Sequence, residues 1–119
     1  MRSPLDTATD YLAVWNEAFA PERRRRLEAW HPDARYRDPL MEADGREAVA
    51  NLIEGARERF PGLAFRLCGT PDGHGSFVRF SWTLAPEGGP PVVAGTDIVR
   101  LDETGRVAEV IGFLDEVRP

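Results

Sequence analysis

Residues 91–101 read PVVAGTDIVRL. An apolar run this rich in β-branched residues has the pattern of a buried strand. Asp97 interrupts it, between Thr96 and Ile98, where another valine would serve a core best. A carboxylate buried without partners costs several kcal/mol or takes up a proton. Two readings follow. Asp97 is either a satisfied structural acceptor, bonded to a neighbouring strand or an arginine, or a carboxylate that faces a cavity as general base, general acid or ligand anchor.

The flanking segments extend the strand pattern in both directions. Ser76–Leu84 (SFVRFSWTL) places Val78, Phe80, Trp82 and Leu84 on one face, and Leu63–Gly69 (LAFRLCG) alternates with Leu63, Phe65 and Leu67 on one side. PDGHG reads as the turn between these strands and EGGPP as the turn into Pro91. Thr104 and Gly105 make a last tight turn before Arg106–Glu116. Upstream of Gly62 the period is helical. Asp6–Ala20 carries Leu12, Trp15, Ala18 and Phe19 at helical spacing, with Asp6 or Thr7 as N-cap. Pro21 opens a shorter helix whose narrow apolar face is Leu27 and Trp30. Asp33–Asp38 (DARYRD) predicts a short edge strand stopped by Pro39, and a loop with Asp44 and Gly45 follows. Arg46–Phe60 is the clearest amphipathic helix, with Val49, Leu52, Ile53, Ala56 and Phe60 in one stripe. Three helices, one early short strand and a four-stranded meander define an α+β domain, whose long strands coil around the covering helix Arg46–Phe60.

At 119 residues and 42% hydrophobic content, the chain suits one domain, residues 1–119. The net charge is −5, and all 15 basic residues are arginine, so no broad positive field is offered to nucleic acid. Arg23–Arg26 reads as a solvated surface cluster. Cys68, the one cysteine, excludes an internal disulfide, and its apolar neighbours suggest an inert buried thiol. No signal peptide or membrane span is legible, which points to the cytoplasm. His31 and His74 lie far apart without ligand spacing, so no metal site is expected. No serine sits in an elbow motif and Cys68 has no evident base, so no nucleophilic triad is expected either.

Several short motifs in a fixed order carry a resemblance: YRDP at Tyr36–Pro39, FPGL at Phe60–Leu63, FSW at Phe80–Trp82, GTD at Gly95–Asp97, and DETGRV followed by GFLD. In this order the chain resembles the nuclear-transport-factor-2-like superfamily, in particular its SnoaL-like branch of polyketide cyclases and relatives of ketosteroid isomerase. The resemblance implies a cone-shaped, curved, mixed but mostly antiparallel sheet wrapped around a pocket and covered by three N-terminal helices. It also implies, in many members, a homodimer through the outer sheet face. It points to Asp38 and Asp97 as cavity carboxylates, with Tyr36 beside them. Alternation agrees, since Tyr36 and Asp38 share one strand face and Gly95, Asp97 and Val99 share another.

The walls of such a pocket would be Trp15, Phe19, Leu52, Phe60, Phe65, Phe80, Trp82 and Phe113, each of which could equally be plain core. Two carboxylates facing one ligand could divide the work, one abstracting a proton and the other, kept protonated by burial, donating a hydrogen bond to the enolate oxygen. Such chemistry suits a cofactor-free isomerase, cyclase or dehydratase acting on a small apolar carbonyl compound. The alternative is a non-catalytic ligand-binding or dimerisation module of the same fold. The chain departs from the polyketide cyclases it resembles, which pair their aspartate with a deep histidine. Here His31 and His74 fall at a helix end and in a turn.

Overall fold

A computed structural model describes residues 2–117. Helix α1 (Pro4–Asn16) begins two residues earlier than the pattern predicts. Ser3 is its N-cap and forms a capping box: the Ser3 hydroxyl accepts from Asp6 N, and the Asp6 carboxylate accepts from Ser3 N. The helix stops at Asn16 because that side chain leaves the helical pattern and pairs with a strand, accepting from Phe65 N and donating to Phe65 O. Helix α2 (Ala20–Leu27) follows. Within the expected solvated cluster, Arg23 is 3% exposed. Its guanidinium donates to Glu17 O and to Glu54 Oε2, tying the α1–α2 link to the next helix, so a buried arginine with paired head groups replaces the predicted surface residue.

Strands β1 (Trp30–Arg37) and β2 (Glu42–Asp44) form an antiparallel pair where one strand and a loop are expected. Helix α3 (Arg46–Arg59) leads to the meander β3 (Leu63–His74), β4 (Phe77–Pro86), β5 (Val93–Leu101) and β6 (Val107–Val117). The sheet order is β2-β1-β6-β5-β4-β3. Every pairing is antiparallel except that of β1 with β6, which is parallel. Of PDGHG, Pro71–His74 is strand and only Gly75 lies in the turn. The β3–β4 ladder shifts register between Cys68 and Asp72 and resumes to His74 opposite Phe77, which moves the turn to Gly75 and Ser76. The bulge lets β3 run on past the expected turn. Cys68 is exposed, in contrast to the buried thiol expected from its neighbours.

The core lies between the helices and the inner sheet face, with Ala8, Val49, Ile53, Val99 and Val110 fully enclosed. Cover is shared. Helix α1 lies across β3 and β4, whereas α3, predicted as the main cover, packs on β1 and β2. Among the described residues, no helix is long and apolar enough to cross a membrane, and no group of three or more His, Cys, Asp and Glu is arranged to hold a metal ion.

Candidate active site

A cavity of about 120 Å³ opens between α1, α3 and the inner face of the sheet. Asp97 reaches it from β5 and is 3% exposed. Its Oδ2 accepts from the Tyr11 hydroxyl at 2.7 Å. Neither an arginine nor a backbone N–H holds it, and among the described residues Oδ1 has no donor. Desolvation pushes the Asp97 carboxyl up to about 6. The Tyr11 hydroxyl and the Trp82 indole N–H oppose that rise, while the charges of Asp38 and Asp115 add to it. The Trp82 N–H comes close enough to favour the charged carboxylate, yet it stops short of hydrogen-bond geometry and has no acceptor.

Asp38 sits just past the end of β1. Its Oδ1 accepts from Leu40 N at 2.7 Å and Met41 N at 2.8 Å, and its Oδ2 accepts from the Tyr36 hydroxyl at 2.6 Å. A carboxylate offers about four lone-pair positions, so these bonds fix its orientation and leave one position for a ligand. Burial, followed by the nearby carboxylates, pushes both the Tyr11 and Tyr36 phenols up, which keeps them as donors at any ordinary pH.

Gly112 leaves room for both Asp97 and Asp38. It is the register partner of Asp97 on β6, and a Cβ there would stand 2.8 Å from Asp97 Oδ1 and 3.2 Å from Asp38 Cβ. Gly95 does the same for an aromatic wall. Opposite Trp82 on β4, it lets the indole lie against the strand where a Cβ would be 2.4 Å from Cζ2. The wall continues as edge contacts from Trp82 to Phe65 and from Phe65 to Trp15, with Trp15 tilted against Tyr36.

The predicted trio Asp97, Asp38 and Tyr36 all line the cavity, as do Trp15, Phe60, Phe65, Trp82 and Phe113. Phe60 and Phe113 form part of its exposed rim. The other expected wall residues lie elsewhere. Phe19 is 65% exposed in the link before α2, because α1 ends before reaching it. Leu52 packs into the core from α3. Phe80 is buried edge-on against Tyr11, behind the cavity. Asp115 is the extra residue of a β6 bulge, accepts from Thr96 and does not line the cavity. His31 accepts from Asp33 N in β1, and His74 lies against Phe77, both outside the cavity. Tyr11 and Arg57 also line the cavity. Tyr11 shares its helix face with Trp15 four residues on, a polar-tipped ring within an apolar stripe. Arg57 donates to Trp15 O and so steadies the end of α1.

A mixed, unclosed curved sheet under a three-helix cover is the nuclear-transport-factor-2-like fold. Within it, the chain belongs to the SnoaL-like domain family, whose sequence pattern matches residues 8–110. It is 49% identical to a SnoaL-like family protein of Agrobacterium tumefaciens C58 named as a candidate isomerase, over 98% of this chain and 100% of that one, with a TM-score of 0.93. The fold also matches a candidate polyketide cyclase of Sinorhizobium meliloti at 17% identity, covering 90% and 93% of the two chains, with a TM-score of 0.71. A ketosteroid-isomerase-like protein of Catenulispora acidiphila, solved with trimethylamine, matches at 14% identity over 88% of this chain and 82% of that one, with a TM-score of 0.72. No curated protein matches the sequence.

Proposed function

We propose that the cavity catalyses cofactor-free proton transfer next to a carbonyl, as an isomerase, cyclase or dehydratase would. The observation that carries this reading is the state of Asp97. It is deeply buried, lines an apolar cavity, is bonded by a phenol instead of an arginine, and has its carboxyl raised to about 6. A structural carboxylate would instead be surrounded by donors. Asp38 supplies the contrasting environment, an acceptor held by two backbone N–H groups and a phenol. Two acids in unlike surroundings can divide base and acid roles.

Asp38 then removes the α-proton while protonated Asp97 donates to the oxygen on which charge develops, through Oδ1. Tyr11 and Tyr36 act as positioning residues for Asp97 and Asp38. The name given to the Agrobacterium relative supports an isomerase, and the trimethylamine bound by the Catenulispora protein supports small-molecule occupancy in this fold. The test is deuterium exchange at the α-carbon of cyclohexanone in D₂O, followed by NMR. Wild type should accelerate exchange and Asp38→Asn should not. Binding without acceleration in wild type would leave the alternative reading, a non-catalytic ligand-binding module. A homodimer through the outer sheet face is part of the proposal, with Ile98 opposite Ile111 at its centre. Sedimentation of wild type against Ile111→Glu tests it.

A further inference from the structure

Among the described residues, Arg57 is the one cation that lines the cavity. It is half-buried on the last turn of α3, and its Nη1 donates to Trp15 O at 2.8 Å. A guanidinium offers several N–H donors in a rigid fork, and among the described residues this bond is the only one Arg57 makes. Arg35, Arg37, Arg79, Arg100 and Arg106 each pair with a carboxylate. Arg57 has no such partner among the described residues. Tying α3 to α1 needs one donor, and a neutral side chain could supply it. A half-buried charge without a counter-ion is costly, and an anion offsets that cost. The Nε–Nη2 edge, which the Trp15 bond does not use, has the geometry that takes a carboxylate side-on.

The charges of the cavity are separated. Asp38 and Asp97 flank Gly112 on β6, whereas Arg57 sits where α3 meets the end of α1. The groups that oppose the rise of the Asp97 carboxyl are Tyr11 and Trp82, not Arg57, which sets the positive end of the cavity apart from the negative one. A ligand with a neutral carbonyl at one end and a carboxylate at the other matches this division. A neutral ligand would leave Arg57 unpaired, and an ammonium would suit the two acids but not the arginine.

Resting on the acid–base reading above, we propose that the substrate is a keto acid, whose carbonyl lies at Asp38 and Asp97 and whose carboxylate pairs with the Nε–Nη2 edge of Arg57. Arg57 is then a substrate-binding residue that selects an anionic group.

The experiment titrates 4-oxocyclohexanecarboxylate, the matching carboxamide and cyclohexanone into wild type, Arg57→Gln and Arg57→Lys by calorimetry. Wild type should bind the carboxylate about 10-fold more tightly than the carboxamide, the effect of one charged hydrogen-bonded pair, and the preference should shrink in about 0.5 M sodium chloride. Arg57→Gln should bind the carboxylate no better than the carboxamide while holding cyclohexanone as wild type does, a split that a merely structural arginine would not produce. Arg57→Lys should recover part of the preference, because it keeps the charge and loses the fork. If Arg57→Gln does not fold, the wild-type preference and its salt dependence carry the test. Equal binding of carboxylate and carboxamide by wild type overturns the proposal, as does a preference that persists in Arg57→Gln. Deuterium exchange is read separately. An Arg57-dependent preference for the carboxylate without exchange supports the ligand assignment and removes the acid–base reading. Exchange of cyclohexanone without any preference for the carboxylate overturns the assignment and leaves that reading intact.

Discussion

The hydroxyl of Tyr11 donates to Oδ2 of Asp97 at 2.7 Å and joins α1 to β5 across 86 residues. This bond favours the charged carboxylate against the desolvation that raises it. Tyr11→Phe should therefore move the Asp97 titration further above 6. The variant should also lose more stability at pH 8, where Asp97 is ionised, than at pH 5, with a loss of about 1–3 kcal/mol at the higher pH. Urea unfolding at the two pH values measures it, and equal losses would show that the bond does not serve the charged form.

Asp97 also sets a direction for stability against pH. Its folded carboxyl titrates at about 6, above its ordinary value of 3.8. Between those values the folded protein holds more protons than the unfolded chain, so this group's contribution is full below about pH 4 and is lost as pH rises through 6. The loss is about 3 kcal/mol for a shift of this size. Asp6, Asp44, Asp72 and Asp102 are held low by their hydrogen bonds and act in the opposite sense, at lower pH. The prediction is therefore made for the difference between Asp97→Asn and wild type, which should move in favour of the variant from pH 4 to 6 and then level off. Denaturation curves across that range that stay parallel would refute it.

Gly112→Ala should strike both carboxylates at once, because the new methyl would lie 2.8 Å from Asp97 Oδ1 and 3.2 Å from Asp38 Cβ. Displacing reacting groups by about 1 Å can cost about 100-fold in rate, and the overpacking should cost about 1–3 kcal/mol. Gly55→Ala is the control. Nothing lies within 4 Å of its added methyl in the middle of α3, so stability should rise by about 0.5–1 kcal/mol with exchange activity unchanged.

Much of the site was legible because its signal was local. Alternation alone put Asp97 on the face of Gly95 and Val99, and Tyr36 on the face of Asp38, and the ladders keep those faces. The missed features depend on distant partners. Tyr11 reads as one more ring of a helical stripe, and only the packing of α1 over the sheet brings its hydroxyl to β5. Arg23 looks solvated until Glu17 O and Glu54 accept from it. Phe19 looked like a wall residue because apolar spacing continued past the point where Asn16 turns to Phe65. The Gly-rich PDGHG has the composition of a turn, but the Asp72–Arg79 pairing draws most of it into the ladder.

The two carboxylates can be told apart by the pH dependence of their reaction. If protonated Asp97 is the acid and Asp38 the base, kcat/KM for α-proton exchange should fall as pH rises through about 6, where free Asp97 loses its proton. Asp97→Asn keeps an N–H donor at that position, so it should retain part of the activity and lose the pH 6 limb. Asp38→Asn still offers an oxygen to Leu40 N and Met41 N and should fold, yet exchange should drop by about 100- to 10,000-fold, the contribution of a general base. Reversed roles would reverse the signs. Activity would then rise through pH 6 as Asp97 became a base, and Asp97→Asn would abolish it.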